Sequence, residues 1–255
     1  MKVVALTLFL LLSHDVELTH QQIPSAVPEV KPLVRPIPDF AGYTNVQKKK
    51  SDFFNYMLPI IRAGNAQVRS ERLSLQTLIH HLKNNQTLTP SEAKVATDLF
   101  RRYKMAVPEN MTLPSLTVLL SRIDVVPEAL VLAQSANESG WGTSRFARKA
   151  NNFFGIWCFR AGCGLAPLGR DSGQTHEVAK YDSVLNGVQA YLRVLNTHPA
   201  YETLRNIRSQ QRQYGTLRGE ALAEGLTPYS ERGVDYVRDI QQLIRVNDLQ
   251  TFTSV

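Results

Sequence analysis

The sequence predicts a mainly α protein of the α+β class with one small β element. Two observations predict it. Apolar residues recur at three and four over most of the chain from about Asn45 onward. Strict alternation is confined to "QTHEVAKY" at 174–181. No repeat of fixed period is visible. The 255 residues are 43% hydrophobic and 20% charged, a globular composition with enough length for a real core in one or two domains.

The chain opens "MKVVALTLFLLLSHD". Lys2 precedes a largely apolar run over 3–12, the form of a secretory signal. A spanning helix needs ~20 such residues. No clear small-x-small cleavage site follows, so residues 1–20 read as an export signal or a short anchor. No other segment has the length and apolarity to cross a membrane. Residues 21–44 carry Pro24, Pro28, Pro32, Pro36 and Pro38, a density that forbids helix interior and sheet ladder, and read as an extended linker.

Residues 45–111 read as a helical N-terminal region. Phe53, Phe54, Met57, Leu58 and Ile61, then Leu75, Leu78, Ile79 and Leu82, fall at helical spacing. Thr89 or Ser91 starts the next helix, with Pro90 in its first turn and Val95, Leu99 and Tyr103 on one face. His80 and His81 are adjacent, diverge on a helix, and read as surface or packing residues.

A second helical series fills 112–255. Its first helices are expected over 115–123 and 127–138, with Pro127 as a first helical residue. A β-hairpin is expected across 164–181, turning at "RDSG" and placing Glu177, Ala179 and Tyr181 on one face. Asp182 or Ser183 caps a helix carrying Val184, Val188, Tyr191, Leu192 and Leu195. Tyr201, Leu204 and Ile207 mark another helix, and Val237, Ile240 and Ile244 the last.

The net charge of +7 suits a polyanionic partner: nucleic acid, an anionic membrane face or an anionic wall polymer. The basic residues are scattered, with "KKK" at 48–50 and "RR" at 101–102 the dense spots, which a solvated helix face explains. No nucleic-acid-binding motif is present and no aromatic stripe interleaves the basic residues, so no nucleic acid is expected. Two cysteines, Cys158 and Cys163, lie in "WCFRAGCG". In an exported chain this spacing suggests a disulfide. A pair of buried thiols stays open, as does a zinc site with His176 and His198, although that spacing matches no familiar finger or ribbon. No cofactor is expected, and no metal.

The chemistry concentrates at "SANESGWGTSRF", which begins at Ser135. Pro127 and the nearly all-apolar run behind it make a buried helix of about three turns. Gly140 and Gly142 suit the left-handed turns that end helices. Glu138 therefore sits at a helix C-terminus, where the macrodipole is negative, close in sequence to Trp141, Phe146, Phe153, Phe154 and Trp157. Both effects disfavour an ionised carboxylate and suit a general acid. A helix-terminal Glu pointing to water is the alternative. Trp141, between two glycines, reads as a side chain lining a cleft, and Phe153 as core.

"LAQSANESGWGTSRFARKANNFFGIWC" resembles the core motif of glycoside hydrolase family 73, the bacterial peptidoglycan glucosaminidases, and in particular their Bax-like branch of exported proteins. "GCGLAPL", "HEVAKYDSV", "AYLRVLNTHPAY" and "GLTPYSERGVDYV" resemble that branch in the same order. The resemblance implies a lysozyme-like α domain over 112–255 with a β-hairpin lobe beside its cleft. It implies cleavage of the β-1,4 bond after N-acetylglucosamine in peptidoglycan glycan strands, outside the cytoplasm, and no membrane contact beyond an N-terminal anchor. Glu138 matches the family's catalytic acid. Trp141 and Phe154 would shape the pocket, and Tyr181 matches a cleft tyrosine after the hairpin. Tyr229 and Tyr236 match a tyrosine pair flanking an acidic turn, with one extra residue between them here.

Glycosidases commonly use two carboxylates. In the family the chain resembles, the second one lies on the hairpin when it is found at all. Glu177 on the strand and Asp171 in the turn are the candidates; their alternatives are an exposed strand position and a turn former. The N-acetyl group of the sugar acting as internal nucleophile is a third route. Two other classes of function remain: a lytic transglycosylase with a lone glutamate, and a wall-binding module without turnover.

Overall fold

The computed structural model describes residues 35–169, 173 and 175–253. The expected export segment, most of the expected linker and Asp171 lie outside the described residues. The helices are α1 (Val46–Lys83), α2 (Pro90–Arg102), α3 (Leu113–Arg122), α4 (Glu128–Ser139), α5 (Arg145–Ala150), α6 (Val184–Thr197), α7 (Glu202–Gln213), α8 (Gly219–Leu222) and α9 (Val234–Val246). Between α5 and α6 lie β1 (Trp157–Cys158), β2 (Gly164–Leu165) and β3 (Glu177–Ala179). The protein is mainly α with a small antiparallel sheet, as its periodicity predicts.

The caps fall where short polar side chains satisfy the first N–H groups. Asn45 accepts from Lys48 at the start of α1. Thr89 and Glu92 form a reciprocal box around Pro90 at α2. Ser183 caps α6. Pro127 is the cap residue of α4 and not its first helical residue, a shift of one. Pro59 lies inside α1, which runs on through it despite the missing N–H.

The expected hairpin is β2 with β3. The sequence did not show that β1 pairs along the other edge of β3, giving the order β1-β3-β2. Trp157 faces Val178 and Cys158 faces Glu177 in that register.

The helices before residue 112 and those after it share one apolar core: Phe53, Leu75 and Leu99 belong to the same cluster as Leu130, Leu192 and Ile240. At Gly64 of α1 a Cβ would come within 2.9 Å of Val188 on α6, so only glycine lets the two helices cross this closely. One residue on, buried Asn65 donates to Val126 O at 2.8 Å and accepts from Val126 N at 3.2 Å, tying α1 to the segment that leads into α4. The last part of the Pro-rich segment also belongs to the fold. Phe40 is buried against Phe53, and Tyr56 donates to Arg35 O. The linker reading therefore does not extend over 35–44.

A buried ionic group fixes α3, α6 and α7. Asp124 accepts two hydrogen bonds from Arg212, at 2.8 and 3.0 Å. Arg208, which is 1% exposed, donates to Asp124 O, Val125 O and Asn196 Oδ1. Burial alone would raise the Asp124 pKa. The Arg212 hydrogen bonds and the charges of Arg208 and Arg72 outweigh it and hold the carboxyl below its ordinary value.

Candidate active site

α4 ends beside a cleft of about 810 Å³. Its lining includes Glu138, Phe154, Trp157, His176, Val178, Tyr201, Tyr229 and Glu231. The end of the helix is built for an abrupt stop. Gly140, Trp141 and Gly142 have φ of 56°, 59° and 77°, three left-handed residues in a row. Tryptophan is a costly occupant of that region, by about 1–2 kcal/mol. Its ring is held edge-on to Phe53 and Phe54 of α1, at 5.6 and 5.4 Å, with Lys50 Nζ 5.1 Å from its centroid. At Gly142 a Cβ would lie 2.4 Å from Phe40 Cδ2. The glycines after Glu138 thus serve the turn itself and the close approach of the N-terminal segment.

Glu138 is half-buried. Its Oε1 accepts from Tyr236 Oη at 2.8 Å and from Asn137 Nδ2 at 3.1 Å. Among the described residues Oε2 accepts no hydrogen bond; it lies 4.0 Å from where a Cβ of Gly155 would be. One oxygen is held and the other is left toward the cleft, an arrangement that suits proton donation. Tyr236 is itself held. Gln134, buried one turn before Glu138 on α4, donates from Nε2 to Tyr236 Oη at 2.8 Å, while its Oε1 accepts from Tyr191 Oη. A buried chain therefore runs Tyr191–Gln134–Tyr236–Glu138 across α6, α4 and α9.

Aromatic rings brace this chain. Tyr229 stacks on Tyr236 at 5.5 Å and donates to Phe154 O at 2.8 Å, and Phe154 stacks on Tyr191 at 4.1 Å. Burial first, and the Glu138 charge second, push the Tyr236 phenol far above its ordinary value. The same two causes raise Tyr201 to about 12. These hydroxyls therefore stay protonated, as donors, across the range where a carboxylic acid works.

The structure brings together Glu138, Phe154, Tyr229 and Tyr236. Between Tyr229 and Tyr236 the chain turns into α9 at Gly233, which has φ of 52°. Three other expected site residues are placed elsewhere. Trp141 is not in the cleft lining; it docks α1. Tyr181 is not in the lining either. It packs against Gly187 of α6 and is pushed to about 12, chiefly by burial. Glu177, expected as a strand acid, is not in the cleft lining either. Cross-strand partners share a face, so Val178 goes with Trp157 into the cleft, and Glu177 goes with Cys158 to the opposite side. There its carboxylate accepts from Gly162 N at 3.1 Å and Gly164 N at 2.7 Å. Cys158 and Cys163 form a disulfide with a Cα–Cα distance of 6.3 Å, closing the same loop. Bonded sulfurs cannot serve as thiolate ligands, which removes the zinc alternative.

Sequence reasoning missed Gln134 and Tyr191, buried positions that read as ordinary helix. It missed Trp157 and His176 as cleft residues, and Glu231, which it read only as part of an acidic turn.

Residues 114–249 match the family model Glucosaminidase, described as mannosyl-glycoprotein endo-beta-N-acetylglucosaminidase. The chain is 34% identical over 201 residues to the protein named "Protein bax" of Escherichia coli (strain K12), an alignment covering 78% of this chain and 70% of that one. No solved structure matches the chain. A match over more than half the chain, on a helical domain whose cleft holds a tyrosine-braced glutamate, places this protein in the glucosaminidase family: it is a glycoside hydrolase of the endo-β-N-acetylglucosaminidase type, related to Bax.

Proposed function

We propose that the protein cleaves peptidoglycan glycan strands at the β-1,4 bond after N-acetylglucosamine, with Glu138 as the general acid. The observation that carries this is the held carboxylate. Tyr236 and Asn137 fix Oε1 while Oε2 is left toward a cleft large enough for several sugar units. Glu138 would donate its proton to the glycosidic oxygen as the bond to the anomeric carbon breaks, and the Tyr236 O–H would support the carboxylate that results.

Glu177 is a lobe anchor in this reading. With the disulfide it holds the loop over 158–164, and its strand face is turned from the cleft. Among the described lining residues Glu231 is the other carboxylate, so it is the candidate for a second acid. The N-acetyl group of the substrate is the route that needs none. The disulfide and the charged-then-apolar start at 1–12 both support work in the bacterial periplasm or cell envelope, where disulfides persist. Among the described residues no helix is long and apolar enough to cross a membrane.

Digestion of purified sacculi followed by mass spectrometry tests the reading. Muropeptides ending in reducing N-acetylglucosamine are expected from the wild type and none from Glu138→Gln. Anhydro-muramic ends would show a lytic transglycosylase instead. Release of neither product by the folded protein would leave a binding module.

A further inference from the structure

Trp157 is 55% exposed, yet it belongs to the wall of the cleft that holds Glu138. An apolar ring of this size left in water forgoes the stabilisation of burial, which a ligand laid over it would supply. Its support is unusually firm. His176 lies under the indole, ring centroids 4.0 Å apart and planes 16° from parallel. Cys158, the next residue, is locked by the disulfide. The pairing with Val178 fixes the strand beneath, and the Glu177 carboxylate fixes the loop that follows. Two strands, a covalent bond and a charge-assisted clamp therefore hold one indole face in an open cleft.

Gly155 is the residue against Glu138 Oε2; with φ of 65° it turns the chain just before β1 begins at Trp157, so the indole and the Glu138 carboxylate line the same cleft from neighbouring stretches of backbone.

Resting on the function proposed above, we propose that the Trp157–His176 stack is a saccharide platform. It takes the apolar C–H face of the pyranose adjacent to the one whose bond Glu138 cleaves. An aromatic face, electron-rich at its centre, meets the electropositive C–H groups of a sugar ring, and the rigid stack loses little entropy on binding. Trp157 is a binding residue here and does not touch the reacting atoms.

The test uses Glu138→Gln protein, which binds without turning over, and two probes: the tetramer of N-acetylglucosamine and peptide-free glycan strands. The chain has two tryptophans, and the other, Trp141, is packed on α1, so a fluorescence change on binding reports Trp157. Adding Trp157→Ala should weaken binding by about tenfold or more. Trp157→Phe should recover most of it, and Trp157→Ala in the wild-type background should raise KM with kcat little changed. Intact mass under alkylation and the melting temperature verify that the lobe is still closed in each variant. Binding by Trp157→Ala within twofold of its parent, with wild-type cleavage intact, would overturn the platform and leave the hydrolase reading standing. Failure of Glu138→Gln to bind either probe, with no cleavage of sacculi by the wild type, would overturn both.

Discussion

Gln134→Met isolates what the buried hydrogen-bond chain does for Glu138. Methionine keeps the unbranched shape at a position that is 0% exposed, and removes both the acceptor for Tyr191 Oη and the donor to Tyr236 Oη. Tyr191 is also 0% exposed, so its hydroxyl is left without an acceptor in the core, at a cost of about 1–3 kcal/mol. For a domain of this size each kcal/mol lowers Tm by about 2–4 °C. Tyr236 still reaches Glu138 but no longer has its own anchor. With the fixed geometry loosened, kcat should fall by about tenfold while KM stays near its wild-type value. Adding Tyr191→Phe removes the orphaned hydroxyl, so the double variant should regain most of the lost Tm. It should not regain kcat, because Tyr236 remains unanchored. Thermal melts and initial rates on purified glycan strands read the two effects separately. Wild-type kcat in Gln134→Met, or recovery of kcat together with Tm in the double variant, would refute the claim that this chain positions the acid.

Glu138→Gln should lose all cleavage with an unchanged Tm; substantial activity in the folded variant would remove Glu138 from its role. Glu177→Gln should keep kcat within about tenfold, since it faces the loop and not the cleft, and a loss as deep as that of Glu138→Gln would show that the strand acid reaches substrate after all. Asp124→Asn leaves Arg208 and Arg212 without their counter-charge and should cost about 3–5 kcal/mol at pH 7. The folded Asp124 pKa is lowered, so its contribution is fully present above the unfolded value of about 3.9 and is lost as pH falls through the folded one. The Tm gap between wild type and Asp124→Asn should therefore close only below about pH 4, and a gap independent of pH would be the contrary result. Reducing the Cys158–Cys163 bond should cost about 2 kcal/mol for so short a loop. Two thiols alkylated without reductant, in protein taken from the envelope, would contradict the bond.

The helices were legible because their signal is local. Periodicity of three and four over 45–105 and 184–195, together with Thr89, Ser183 and the glycines after Glu138, is decided by residues within a turn or two of one another. The placement of Glu138 at the end of a buried helix was legible for the same reason: the buried helix, the carboxylate and the left-handed stop are contiguous. The disulfide spans a separation of 5 and was equally local. The rest of the site was not, because long-range contacts decide it. Tyr236 and Glu138 are 98 residues apart, and Tyr191 and Gln134 are 57 apart, so no local pattern marks Gln134 as more than a buried helix residue. Trp141 looked like a cleft wall until α1 arrived with Phe53 and Phe54 to cover it. Alternation in "QTHEVAKY" grouped Glu177 with Ala179 and Tyr181 on one face, but alternation cannot say which face meets the cleft. That depends on register with β1, a strand of two residues and too short to show a period, and a shift of one residue there would exchange Glu177 for Val178.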